Sequence, residues 1–125
     1  DGKVVNHFAK KEQAALEALL NLDEGSRYLG EIALISHDSP ISNMNILFYN
    51  TLFDENASCH MALGRAYPMN VKGGTNMTKE ELQAIDYNNS LNHEDFMFGS
   101  SDMEIVGTKY NGEKVVIFKE GNFVI

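Results

Sequence analysis

The chain has 125 residues, 43% of them hydrophobic, which is enough for one domain with a real core and too little for a second. Its formal net charge of −8, with acidic residues spread along the chain, argues against nucleic acid and anionic membrane surfaces and favours cationic or neutral substrates. A single cysteine excludes an internal disulfide, and no apolar run approaches the roughly 20 residues of a membrane span, so the expected setting is reducing and cytoplasmic.

The chain opens Asp1-Gly2-Lys3, without an initiator methionine or a signal peptide, and so reads as an excised part of something longer. A helix is predicted from about Phe8 to Leu22, where Leu16, Leu19 and Leu20 recur at helical spacing and Gly25 follows as a stop. Tyr28 to Ile35 reads as a strand ended by the turn His37-Asp38-Ser39-Pro40. Asn43 to Phe53 is read as helix, although its Ile46-Leu47-Phe48-Tyr49 core also suits a buried strand; Asp54-Glu55-Asn56 is a polar connection. After Tyr67-Pro68 comes a loop over Lys72-Gly73-Gly74-Thr75-Asn76. Thr78-Lys79-Glu80-Glu81 then has the cap-and-acid pattern that starts a short helix through about Ile85. His93 to Gly99, Met103 to Val106, Val115 to Phe118 and Phe123 to Ile125 read as strands, with a hairpin turn at Tyr110-Asn111-Gly112-Glu113. With no repeat or linker, the expectation is one α+β domain over 1–125, a mixed sheet covered by the N-terminal helix.

His93-Glu94-Asp95 is the most informative motif. In an extended segment, residues two apart project from one face, so His93 and Asp95 can reach one cation while Glu94 points away. An imidazole with a carboxylate suits zinc or a similar divalent ion. Alone the triplet is weak, because surface hydrogen-bonded His-x-Asp pairs are common. Glu31 strengthens it, since its carboxylate enters an apolar run, Ile32-Ala33-Leu34-Ile35, that reads as a buried strand. His60 lies in the mostly apolar stretch Ala57 to Gly64, where a lone histidine is more often a satisfied core residue.

Nucleophilic catalysis and nucleotide binding find no support. Cys59 and His60 are neighbours that face opposite sides of a strand, so Cys59 reads as a core thiol. His37, Asp38 and Ser39 cannot line up in series as a triad and read as a turn. Gly73-Gly74 lacks any phosphate-binding pattern around it. His7 and His37 are left as ordinary surface or loop histidines.

Three stretches then carry a specific resemblance: Arg27-Tyr28-Leu29-Gly30-Glu31-Ile32-Ala33-Leu34, Asp38-Ser39-Pro40-Ile41-Ser42, and Asn45 through His60. Together with Ala62 through Pro68 and Ser90-Leu91-Asn92-His93-Glu94-Asp95-Phe96-Met97, they resemble the catalytic domain of the thermophilic metallo-aminopeptidases, the aminopeptidase T, aminopeptidase S and PepS type. The likeness covers nearly the whole chain. It implies a thermophilic metalloprotease-like fold and a two-metal exopeptidase that removes N-terminal residues from peptides. On this resemblance Glu31, His60, His93 and Asp95 are metal ligands and Tyr67 is an active-site residue. Glu31 then serves in catalysis as a bridging carboxylate, and the Tyr67 phenol donates to the developing oxyanion. The implied cofactors are two divalent ions, zinc or cobalt first, manganese or magnesium as alternatives; the implied assembly is a homodimer.

One departure stands out. The family uses a further glutamate in an upstream Gly-Glu-Val-Phe-like motif, and Glu12, Glu17 and Glu24 do not match it. The chain is therefore expected to be the C-terminal part of a longer aminopeptidase, binding metal weakly and nearly inactive by itself. The alternatives are a non-catalytic domain kept for dimerisation or substrate gating, and a single-metal hydrolase of other specificity.

Overall fold

The computed structural model of the protein describes Gly2–Ile125. Helix α1 spans Gln13–Leu20, shorter than the leucine spacing predicts. Its start is set by Glu12, whose φ of 56° lies in the left-handed region and breaks the helical path, while Phe8 stays exposed. Of the three leucines, Leu20 is buried and Leu16 and Leu19 are half-buried, as expected for a stripe on one helical face. A 3-10 turn, Glu24–Arg27, follows, closed by reciprocal bonds between Asp23 and Ser26.

Strands β1 (Leu29–Ala33), β2 (His60–Gly64) and β3 (His93–Met97) form one three-stranded sheet with β2 in the middle. Gly64 N–H donates to the Tyr28 carbonyl (2.8 Å) and Arg65 N–H to the Asn92 carbonyl (2.7 Å). The C-terminal end of β2 thus meets the N-terminal ends of β1 and β3, and both pairings are antiparallel. The central strand is the apolar one, with Ala62, Leu63 and Gly64 buried. β1 lies at an edge, which explains why the expected strand from Tyr28 to Ile35 narrows and why Ile32 is 61% exposed.

Between β1 and β2 the helix expected over Asn43–Phe53 is divided. Ser39 caps α2 (Pro40–Met44), with Pro40 in the first turn where its missing N–H costs nothing. Asn45 and Tyr49 have φ of 51° and 56°, so the chain leaves the helical path before Ile46 and again before α3 (Thr51–Asp54). The Asp54 carboxylate holds this bend, accepting from Phe48 N–H (2.8 Å) and Asn50 N–H (2.9 Å). A 3-10 turn, Glu55–Ala57, then leads to β2. Later in the chain α4 (Lys79–Ala84) carries the expected capping box of Thr78 and Glu81.

Strands β4 (Ile105–Thr108), β5 (Lys114–Lys119) and β6 (Asn122–Phe123) make a second antiparallel sheet. The hairpin between β4 and β5 closes where predicted: Gly112 N–H donates to Lys109 and Gly112 itself has φ of 85°. The turn from β5 to β6 places Glu120 and Gly121 at φ of 51° and 71°, a geometry for which Glu-Gly is a poor sequence signal beside Asn-Gly.

The α+β class is as the sequence implies, with the strands divided between two sheets. By compactness the chain divides into two units, Asp1–Ile32 with Met61–Glu94, and Ala33–His60 with Asp95–Ile125. The buried apolar residues of the first are Leu20, Ala62, Leu63 and Leu82. In the second they are Cys59 and Phe118, whose ring packs on Phe123 at 4.2 Å between centroids. Among the described residues no helix is long and apolar enough to cross a membrane.

Candidate metal centre

In the first unit Glu31, His93 and Tyr67 come together. The Glu31 Oε2 atom of β1 lies 3.5 Å from Nε2 of His93, at the start of β3, and both side chains are about four-fifths buried. The other ring nitrogen, Nδ1, is 2.6 Å from the Arg65 carbonyl oxygen. A carbonyl only accepts, so Nδ1 carries a proton and Nε2, whether it bears a lone pair or a second proton, faces the Glu31 carboxylate. Two lone pairs at this separation repel unless a cation or a second proton lies between them. The Tyr67 ring sits 5.0 Å from the imidazole, tilted by 56°, three residues beyond the end of β2.

The segment leading into His93 is tied down by a polar lock. Asp23 Oδ1 lies 2.8 Å from the hydroxyls of both Ser26 and Ser90, and Oδ2 accepts from Leu91 N–H at 2.7 Å. Those bonds, Leu91 N–H foremost and the Ser90 hydroxyl next, hold the Asp23 carboxyl down at about 2. Ser26 and Ser90 are buried, and Asn88 donates to the Gly25 and Tyr28 carbonyls (3.0 and 3.2 Å).

In the second unit Glu55, His60 and Asp95 each offer one ligand atom, all within 4.8 Å of one another. His60 is 2% exposed, and its Nδ1 lies 3.0 Å from the Ser58 carbonyl oxygen, so Nδ1 carries a proton here too. Asp95 follows His93 by two residues on β3; the two are half-buried while Glu94 between them is exposed, the alternation expected of a strand.

Over residues 1–123 the chain matches the thermophilic metalloprotease family, M29. It belongs to that family. It is 50% identical over 123 residues to Aminopeptidase 2 of Geobacillus stearothermophilus and 52% identical to Aminopeptidase AmpS of Bacillus subtilis strain 168, in each case covering 98% of this chain and 30% of the relative. The solved structure of wild-type AmpT from Thermus thermophilus superposes with a TM-score of 0.83 at 40% identity, over 99% of this chain and 30% of that one. The M29 chain thus spans about 30% of the length of the relatives it matches.

In each unit the donors suit a divalent ion of borderline character: in the first an imidazole on a backbone carbonyl with the Glu31 carboxylate, in the second an imidazole on a backbone carbonyl with the carboxylates of Glu55 and Asp95. Glu55 is the residue that sequence reasoning missed. It sat in a polar stretch read as a connection, and only the 3-10 turn that places it near His60 gives it a ligand's position. His37 is exposed and gains no role beyond its backbone bond to Gly121 (2.8 Å). Cys59 is buried, its sulfur within 3.2 Å of the Ile35 nitrogen and 3.3 Å of the Ile35 carbonyl oxygen, as befits a core thiol.

Proposed function

We propose that this M29 chain supplies ligands and an oxyanion donor to a two-metal aminopeptidase centre that cleaves N-terminal residues from peptides. Its relatives are named aminopeptidases, and the family is one of metalloproteases. The observation that carries the reading is that each histidine has Nδ1 on a backbone carbonyl and stands among carboxylates: His93 Nε2 faces Glu31 at 3.5 Å, and a ring nitrogen of His60 lies within 4.8 Å of ligand atoms of Glu55 and Asp95.

Glu31 and His93 would hold an ion in the first unit, and His60, Asp95 and Glu55 would hold one in the second. When bound, divalent ions polarise the scissile carbonyl and lower the pKa of a bound water. Zinc and cobalt match the donors best, manganese and magnesium less well. Tyr67, about two-fifths exposed beside the His93 ring, donates its phenolic hydrogen to the carbonyl oxygen as negative charge develops there. Glu31 would take part in catalysis as a carboxylate shared with the ions.

Titration of the chain with zinc or cobalt, followed by elemental analysis, tests this. Saturable binding that loses one ion in His60→Ala and one in His93→Ala is expected; a wild-type chain that takes up no divalent ion overturns the reading.

A further inference from the structure

Three bonds of one residue converge on the approach to His93. Arg65 N–H donates to the Asn92 carbonyl (2.7 Å), its side-chain Nε–H donates to the Ser90 carbonyl (3.0 Å), and its own carbonyl accepts from His93 Nδ1 (2.6 Å). That same carbonyl group lies against β1. A Cβ built on Gly30 would stand 2.5 Å from the Arg65 oxygen and 2.1 Å from the Gly64 oxygen, closer than real contacts allow. The Arg65 peptide is therefore wedged between the residue before Glu31 and the ring of His93. Backbone bonds hold both sides of Arg65, its own N–H to the Asn92 carbonyl and Ala66 N–H to the Asn88 carbonyl (2.9 Å), and the side chain adds an anchor on a third residue. The Nε–H bond to Ser90 is what ties its side chain to a segment already immobilised by Asp23 and Asn88.

We propose that Arg65 is a positioning residue for the metal centre: its guanidinium, anchored on Ser90, holds the Arg65 carbonyl where it fixes the tautomer and the orientation of His93 beside Glu31. The inference rests on reading His93 as a ligand. Arg65 touches neither ion nor substrate in this role. It acts through the ring it orients, and the charge of the side chain is incidental to the Nε–H geometry, a planar fork that lysine lacks.

The test uses the 125-residue chain with Arg65→Ala and Arg65→Lys, cobalt(II) alone as the probe, and two readouts. Calorimetric titration is expected to show cobalt binding weakened about 10–100-fold in both variants, the usual cost of losing a group that supports a ligand. Long-range 1H–15N spectra of the metal-free protein are expected to show His93 as the Nδ1–H form in the wild type and as a mixture of tautomers in both variants. If Arg65→Ala does not fold, Arg65→Lys decides alone. A lowered melting temperature with cobalt affinity within twofold of wild type and the Nδ1–H form retained marks a merely structural residue and overturns the proposal. Failure of the ligand reading looks different: the wild type then takes up no cobalt, and the tautomer in the metal-free protein still decides whether Arg65 orients the ring.

Discussion

The two histidines are held by the same kind of bond over very different distances along the chain. His60 leans on Ser58, two residues away, and is almost wholly buried at the start of the central strand. His93 leans on Arg65, 28 residues away, on an edge strand, with its side chain one-fifth exposed. Local geometry sets the first, whereas the second exists only when β2, the loop after it and the segment before β3 are all in place. The orientation of His60 should therefore survive damage that disorients His93.

The largest effects should come from removing either ring. His60→Ala and His93→Ala should each weaken binding of their ion by more than the roughly 100-fold that a supporting partner is worth. They should differ in stability: His60→Ala empties a buried site and lowers the melting temperature, while His93→Ala leaves it nearly unchanged or raises it by relieving the contact with Glu31. Equal melting temperatures for the two variants would show that the contrast in burial has no energetic weight.

Gly30→Ala sharpens the contrast from the other side. The added methyl meets the Gly64 and Arg65 carbonyls, so backbone must move, at about 1–3 kcal/mol or more. The movement displaces the oxygen that holds His93 and the strand that carries Glu31. Thermal melting should show the destabilisation, and cobalt titration should show the His93 ion weakened while the His60 ion is retained. Loss of both ions together would contradict the separation.

Asp23 tests the lock upstream of His93 by pH. Its folded carboxyl titrates at about 2, below the ordinary value of 3.8, so the carboxylate stabilises the fold fully above about pH 4 and that contribution disappears as pH falls through 2. Asp23→Asn should lower the melting temperature at neutral pH, and the gap from wild type should close between pH 4 and pH 2. A gap that stays constant across that range would mean that packing, and not the charge, accounts for it.

How much of this was legible in the sequence follows the same division between local and distant causes. The Thr78 capping box, the Asn111-Gly112 hairpin and the same-face spacing of His93 and Asp95 are local and were readable. The ends of α1 and the break in the predicted helix at Asn45 and Tyr49 were not, because left-handed conformations at Glu12 and Tyr49 have no strong residue signal. Spacing alone reached no further than a possible metal site. Family resemblance named Glu31, His60, Tyr67, His93 and Asp95 together, because apart from the His93-Asp95 spacing their neighbours in the sequence carry no sign of one another. Glu55 and Arg65 stayed hidden for the same reason: a candidate ligand on a 3-10 turn and a carbonyl past a strand's end become visible only when the chain is folded.

The smallest expected effect is at Ser58. The group that holds His60 is the Ser58 backbone carbonyl, which Ser58→Ala keeps, so the ring should retain its Nδ1–H form and metal affinity should stay within about twofold. Stability should change by no more than about 0.5 kcal/mol, the range of substitutions that touch no special feature. The informative comparison is with Arg65→Lys, which also keeps the carbonyl that its histidine uses. If Ser58→Ala is silent while Arg65→Lys is not, a carbonyl orients its histidine only as firmly as the side chain or strand behind it is held, and for His60 the central strand is enough.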